Sequence, residues 1–198
     1  MIAHARGGLV ALLLLAAIGC EPSASDDGDA PQQSMLEQGL RYDAQRFAEQ
    51  AFAEMAAGNT EQASITARRA IQADASHPSA QHALAWAAMH ENNPSVYIVA
   101  ALEAVRLAPD SVHFRRTLGI AFRAAGRNRD ATGTFRETVR RAPMDTLSWR
   151  DLGRSAYDIG DFALADSAFD QLAALVPAYF DSASADAALR RDAAARAH

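Results

Sequence analysis

The sequence predicts an all-α chain arranged as a solenoid of paired helices, and three periodic observations support this. Pro109, Pro143 and Pro177 recur at intervals of 34 residues. A fixed period of that size marks stacked supersecondary units rather than one closed core. Gly58, Gly126 and Gly160, with Asn92 as a substitute once, fall where a first helix should end in a left-handed C′ residue. The third observation is the recurrence of small and aromatic residues between these marks, Ala131 with Phe135 and Ala165 with Phe169. With 49% hydrophobic and 22% charged residues and a net charge of -5, the composition is that of a folded soluble chain.

In chain order, Met1 to Gly8 carries His4 and Arg6 without an acid, and Leu9 to Ile18 is an unbroken apolar run. As a helix that run would span roughly 15 Å against a hydrocarbon core of about 30 Å, so residues 1-19 read as a signal peptide rather than a span. Ala17-Ile18-Gly19-Cys20 resembles the lipobox of bacterial lipoproteins. That resemblance implies diacylation of Cys20, which becomes the mature N-terminus. Glu21 after it, in place of aspartate, points by the same analogy to the outer membrane, facing the periplasm. Cys20 is the only cysteine, which excludes an intramolecular disulfide, a CxxC pair and a CxxCH haem site. Residues 20-34 then form a tether, because EPSASDDGDAPQQS has no bulky apolar residue to offset ordering entropy.

Residues 35-179 hold the repeats, at 44-77, 78-111, 112-145 and 146-179, with 35-43 extending the first helix. The last unit carries Trp149, Leu152, Gly153, Ala165, Phe169 and Pro177; the unit before it carries Leu118, Gly119, Phe122, Ala131, Phe135 and Pro143, with Arg115 in the tryptophan place. These two units resemble the tetratricopeptide repeat. The resemblance implies a right-handed helical-hairpin solenoid of about four repeats. The second unit is degenerate, with Tyr97 and Ala101 where small and aromatic residues are expected. The first keeps Phe47, Ala51, Gly58, Ala63 and Ala70 but lacks the proline.

Asn93-Pro94, Asn128 and Asp161 are expected to start the second helices, and Asp110 and Asp145 the next first helices. Gly119 and Gly153 lie inside helices at a cost of about 1 kcal/mol each, which implies close helix packing there. Residues 180-198, alanine-rich and polar on most faces, read as a C-terminal capping helix.

No G-x-S-x-G, P-loop or H-E-x-x-H occurs, and the repeats leave no room for a catalytic domain, so the chain reads as a non-enzyme without cofactor. His77, His82, His90 and His113 lack the spacing of a metal site. Mild acidity argues against nucleic acid as a partner, and no small-molecule substrate is expected.

The repeat resemblance implies a concave groove lined by the first helices, from which ten site residues are expected: Phe52, Met55, His82, Trp86, Met89, Arg116, Arg123, Arg150, Arg154 and Tyr157. Phe52 stands where the chaperone-binding carboxylate clamp would have asparagine, so that ligand is not implied. The third unit has a net charge of plus 5 and the fourth minus 3. Two readings of the groove arginines follow: they bind an acidic segment of a partner, or they pair with neighbouring carboxylates, for example Arg154 with Asp158. The whole reads as a lipid-anchored scaffold for a protein or peptide partner in the bacterial envelope. The alternative is an accessory or regulatory subunit of an envelope enzyme acting in cell-wall synthesis or hydrolysis.

Overall fold

A computed structural model describes residues 29–180 and 185–197. The expected signal peptide, Cys20 and most of the tether lie outside the described residues. Among the described residues there are nine α-helices and no strand: α1 Asp29–Ala56, α2 Thr60–Ala73, α3 Pro78–His90, α4 Pro94–Leu107, α5 Val112–Ala124, α6 Asn128–Arg141, α7 Thr146–Asp158, α8 Phe162–Leu175 and α9 Ala185–Arg196, with a 3-10 turn at Pro177–Phe180 before α9. Consecutive helices pack as hairpins, and α1, α3, α5, α7 and α9 also touch in series, so the first helices line one face and the second helices form the other layer.

Each first helix ends as its sequence requires. Gly58, Gly126 and Gly160 have φ of 82°, 73° and 77°, and Asn92 takes the same region at 53°. The left-handed residue turns the next N–H back onto the helix, as in Asn59 N to Glu54 O at 2.9 Å and Asp161 N to Ala156 O at 3.0 Å. Asn93, Asp145 and Asp161 cap their helices by accepting from Val96 N, Ser148 N and Leu164 N.

Three expected boundaries shift. Asn128 is the first residue inside α6, and the cap position belongs to Arg127, whose side chain makes no cap bond. Ser111 rather than Asp110 caps α5, because its hydroxyl reaches Phe114 N at 3.3 Å from extended backbone. The helix expected from residue 35 begins at Asp29, replacing the last six residues of the expected tether. Pro31 sits in the first turn, where its missing N–H leaves no bond unmade, and Gln38 donates to Ser34 one turn back.

The core explains the repeat pattern and its degeneracy. A Cβ on Gly119 would lie 2.5 Å from the Phe135 ring, and one on Gly153 would lie 2.5 Å from the Phe169 ring. Each glycine lets a buried phenylalanine of the second helix press against the backbone of the first. One repeat earlier the corresponding pair is Ala85 and Ala101, and the volume comes instead from Tyr97, 1% exposed in the same cluster. In the first repeat alanines take all these places, so its core with α3 is a cluster of small residues flanked by Phe47 and Phe52.

The expected tryptophan position is polar by design of the turn beside it. Trp149 Nε1 donates to the Pro143 carbonyl at 2.8 Å, Arg115 donates to the Pro109 carbonyl, and Gln81 donates to the Ala75 carbonyl at 2.7 Å. Three different side chains at one repeat position thus satisfy the same orphan carbonyl, six residues back.

The C-terminal helix packs on α7 and α8 in the place of a further first helix. Its exposed positions include Ala188, Arg191 and Ala195, so among the described residues the exposed face of α9 carries no large apolar side chain.

Gly153→Ala should lower the unfolding free energy by about 1–3 kcal/mol, since the Phe169 clash outweighs the helix-propensity gain. Gly133→Ala, at an exposed helical glycine with open space around it, should raise it by up to about 1 kcal/mol. Urea titrations of both variants check the opposite signs. Leu152→Ala, at a position 1% exposed, should cost about 2–5 kcal/mol in the same assay.

Candidate peptide-binding groove

The last three turns of α1, the inner face of α3 and the start of α5 enclose a groove of about 700 Å³. Phe52 and Met55 project from α1, His82 and Trp86 from α3, and His113 and Phe114 from α5. The 3.6-residue repeat puts 52 and 55, and 82 and 86, on single helix faces, and the 34-residue period sets those faces side by side. His82, 3% exposed, is the hub: its ring centroid lies 4.8 Å from Phe52, 4.4 Å from His113 and 5.1 Å from Phe114.

The hub is held in one tautomer. Trp86 Nε1, which can only donate, lies 2.8 Å from His82 Nε2, so that nitrogen is the acceptor and the proton sits on Nδ1. Thr117 Oγ1, from α5, packs 3.0 Å from the same nitrogen and donates its proton to the His113 carbonyl at 3.1 Å, which sets α5 against the imidazole edge. Burial, helped by the neighbouring His113, pushes the His82 pKa down to about 3. Burial, then the charge of Arg116, also lowers His113, against a smaller opposing effect of Asp145. At neutral pH His82 and His113 are therefore uncharged.

The other groove residues expected from the sequence divide sharply. Met89 does not face the groove. It packs, partly buried, against the core cluster that contains Leu118, Ala121 and Phe122. Arg116, Arg123, Arg150, Arg154 and Tyr157 stand on the inner face but each is committed to a carboxylate. Arg116 Nε lies 2.7 Å from Asp151, Arg150 lies 3.0 Å from the same aspartate, and Arg123 lies 3.1 Å from Asp158. Arg154 forks onto Asp186 of α9, and Tyr157 donates to Asp192 of α9.

Burial pushes Asp186 up, but bonds from Arg154 and Tyr179 outweigh it and leave the carboxyl below its usual range. Of the two readings of these arginines, the geometry favours pairing with neighbouring carboxylates over an acidic partner segment. Arg116, Arg123 and Arg154 pair with a carboxylate of the following first helix, Arg150 shares Asp151 of its own helix, and Arg154 meets Asp186 rather than Asp158. Reasoning from the repeat register missed Glu49 and Phe114, which also line the groove. Both lie next to a register position, Ala48 and His113, and a helix wall three residues wide would have included them.

No protein-family model matches the sequence, and no curated protein matches it. Among solved structures, the chain is similar to the Pseudomonas aeruginosa pilF protein, with a TM-score of 0.70 at 19% identity over 80% of this chain and 70% of that one. It is similar to YrrB, described as a TPR protein with an unusual peptide-binding site, with a TM-score of 0.62 at 16% identity over 82% and 81%. A thermophilic TPR protein of Thermus thermophilus gives a TM-score of 0.63 at 19% identity over 77% and 87%. The fold is a tetratricopeptide-repeat solenoid. Likeness at these identities is likeness of fold, and the chemistry of the groove has to be read from its own residues.

The depressed His82 pKa has a stability consequence of defined sign. The unfolded chain takes up the proton near pH 6.5 and the folded chain only near pH 3, so stability is full above 6.5 and falls as pH drops between these values. The slope from this residue should approach about 1.4 kcal/mol per pH unit. Guanidinium unfolding of the parent protein and of His82→Gln at a series of pH values should show a shallower acid loss in the variant.

Proposed function

We propose that the protein is a lipid-anchored scaffold of the bacterial envelope that captures a partner polypeptide in the groove between α1, α3 and α5. The observation that carries this reading is the groove itself. Phe52, Met55 and Trp86 are apolar side chains left open in a concave, preformed surface whose hub, His82, is locked from behind by Trp86 and Thr117. A soluble chain that leaves such a surface unfilled has the means to bury a partner's apolar side chains. YrrB, a protein of the same fold, is described as having a peptide-binding site, which supports a peptide or protein as the partner.

Anchoring rests on the Ala17-Ile18-Gly19-Cys20 motif, with Cys20 at the end of the apolar run and no other thiol in the chain. The residues between Cys20 and the first repeat set the repeats away from the bilayer, and Glu21 favours the outer membrane. Assembly of an envelope complex is the role that a tethered, preformed groove serves.

Metabolic labelling with a fatty-acid probe should mark the parent protein and leave Cys20→Ala unlabelled; equal labelling of both would end the lipoprotein reading. Trp86→Ala combined with Phe52→Ala should lose at least tenfold in affinity for a captured partner, since each truncation removes about 1 kcal/mol or more at a buried anchor. Reversing the outer-layer Arg140 to glutamate should leave capture unchanged. Equal capture by the double variant would move the site off this groove.

A further inference from the structure

The structure shows a division of charge along the inner face that identifies the kind of segment the groove accepts. Every inner-face arginine is paired: Arg116 and Arg150 with Asp151, Arg123 with Asp158, and Arg154 with Asp186. The groove lies at the other end. α3 carries no Asp, Glu, Lys or Arg, whereas α1 carries five carboxylates against two arginines.

The nearby arginines are also occupied elsewhere. Arg46 pairs with Asp43 and Arg68 with Glu91, so neither presents a free charge to the groove. Among the lining residues Glu49 is the one carboxylate and there is no arginine. Glu49 is exposed and its only hydrogen bond in the described residues comes from the neutral Gln45 amide, one turn before it. Its charge therefore stays available to a ligand while Phe52, one turn along the same helix, takes the ligand's apolar part.

We propose that the groove accepts a partner segment with a large apolar or aromatic anchor and a basic residue one helical turn or two extended residues away, the anchor seated among Phe52, Met55 and Trp86 and the base facing Glu49. This rests on the groove reading above and adds its chemical selectivity. An acidic flank would meet Glu49 with no arginine among the groove-lining residues to compensate. A polar segment would leave the aromatic rings uncovered. Selectivity of this kind comes from charge placement around a shared apolar anchor, the attractive and the repulsive element both being the same carboxylate.

The test uses the purified protein and three labelled peptides that share a Leu-Trp-Leu core and differ only in flanks of arginine, serine or glutamate. Fluorescence anisotropy should rank them arginine over serine over glutamate. The arginine peptide should bind about fivefold more tightly than the glutamate peptide at low salt, consistent with exposed pairs worth up to about 1 kcal/mol. The ratio should shrink as ionic strength rises to about 0.5 M. Glu49→Lys should invert the ranking of the arginine and glutamate peptides. Glu61→Lys, on α2 away from the groove, should leave it unchanged.

Trp86→Ala separates the two ideas. If the glutamate peptide binds as tightly as the arginine peptide and both depend on Trp86, the charge selectivity is wrong and the groove stands. If no peptide shows Trp86-dependent binding, the groove reading itself falls. If Glu49→Lys and Glu61→Lys shift the ranking equally, the preference is overall charge and the assignment to Glu49 is overturned.

Discussion

From α3 onward, each first helix reaches the next through a polar side chain that meets a partner 35 residues further on, and the rest of the solenoid depends on this contact. His82 with Thr117 and Arg116 with Asp151 occupy one such rung; Arg123 with Asp158 and Tyr157 with Asp192 occupy another, nearer the C-terminal ends of the helices. The spacing follows from the repeat. A displacement of 34 residues reaches the same position on the neighbouring helix, and one residue more moves around that helix to the side that faces back. A helix pair cannot bury its apolar face alone, so these rungs work with the small-residue packing behind them to hold one inter-repeat geometry. Tyr157 extends the pattern onto α9 and Arg154 adds a fork onto Asp186, which is why a helix with little apolar surface still docks as the cap.

The same rung carries two chemistries, and that difference makes the groove. Where it is filled by a neutral imidazole and a hydroxyl, between α3 and α5, the inner face is uncharged and leaves aromatic rings open to solvent. Where it is filled by guanidinium and carboxylate, between α5 and α7, the long side chains lie across the face and close it with charge-assisted bonds. Asp151, with a side chain 5% exposed, is reached by two arginines at once, so removing it would leave two cations without a partner. The open half can bind and the closed half can hold shape, without any change of fold between them.

Packing between first and second helices varies more than the rungs do. Gly119 with Phe135 and Gly153 with Phe169 pack ring against backbone, Ala85 and Ala101 rely on Tyr97 for bulk, and the first repeat has only alanines at these places. The total volume is moved between positions rather than lost, which is the form of core change that proteins tolerate best. The alanine-rich first repeat brings α1 close to α3, and that approach places Phe52 against His82 at the groove wall.

By itself, the sequence determined what depends on local conformation and on period. The proline interval, the left-handed Gly58, Gly126 and Gly160, the Asn92 substitute and the intolerance of a side chain at Gly119 and Gly153 were all readable, because each is a backbone requirement of one residue or of one repeated pair. So was the inner face on which Phe52, Met55, His82 and Trp86 stand, since helical periodicity and the 34-residue register fix it. The tertiary structure decided what depends on which neighbour a long side chain reaches. Whether Arg116, Arg123, Arg150 and Arg154 were free or paired, whether Met89 turned inward, and whether Glu49 kept its charge exposed turned on separations of a few ångströms between helices. A flexible arginine can satisfy either reading of the same sequence, and only the packed neighbour selects one.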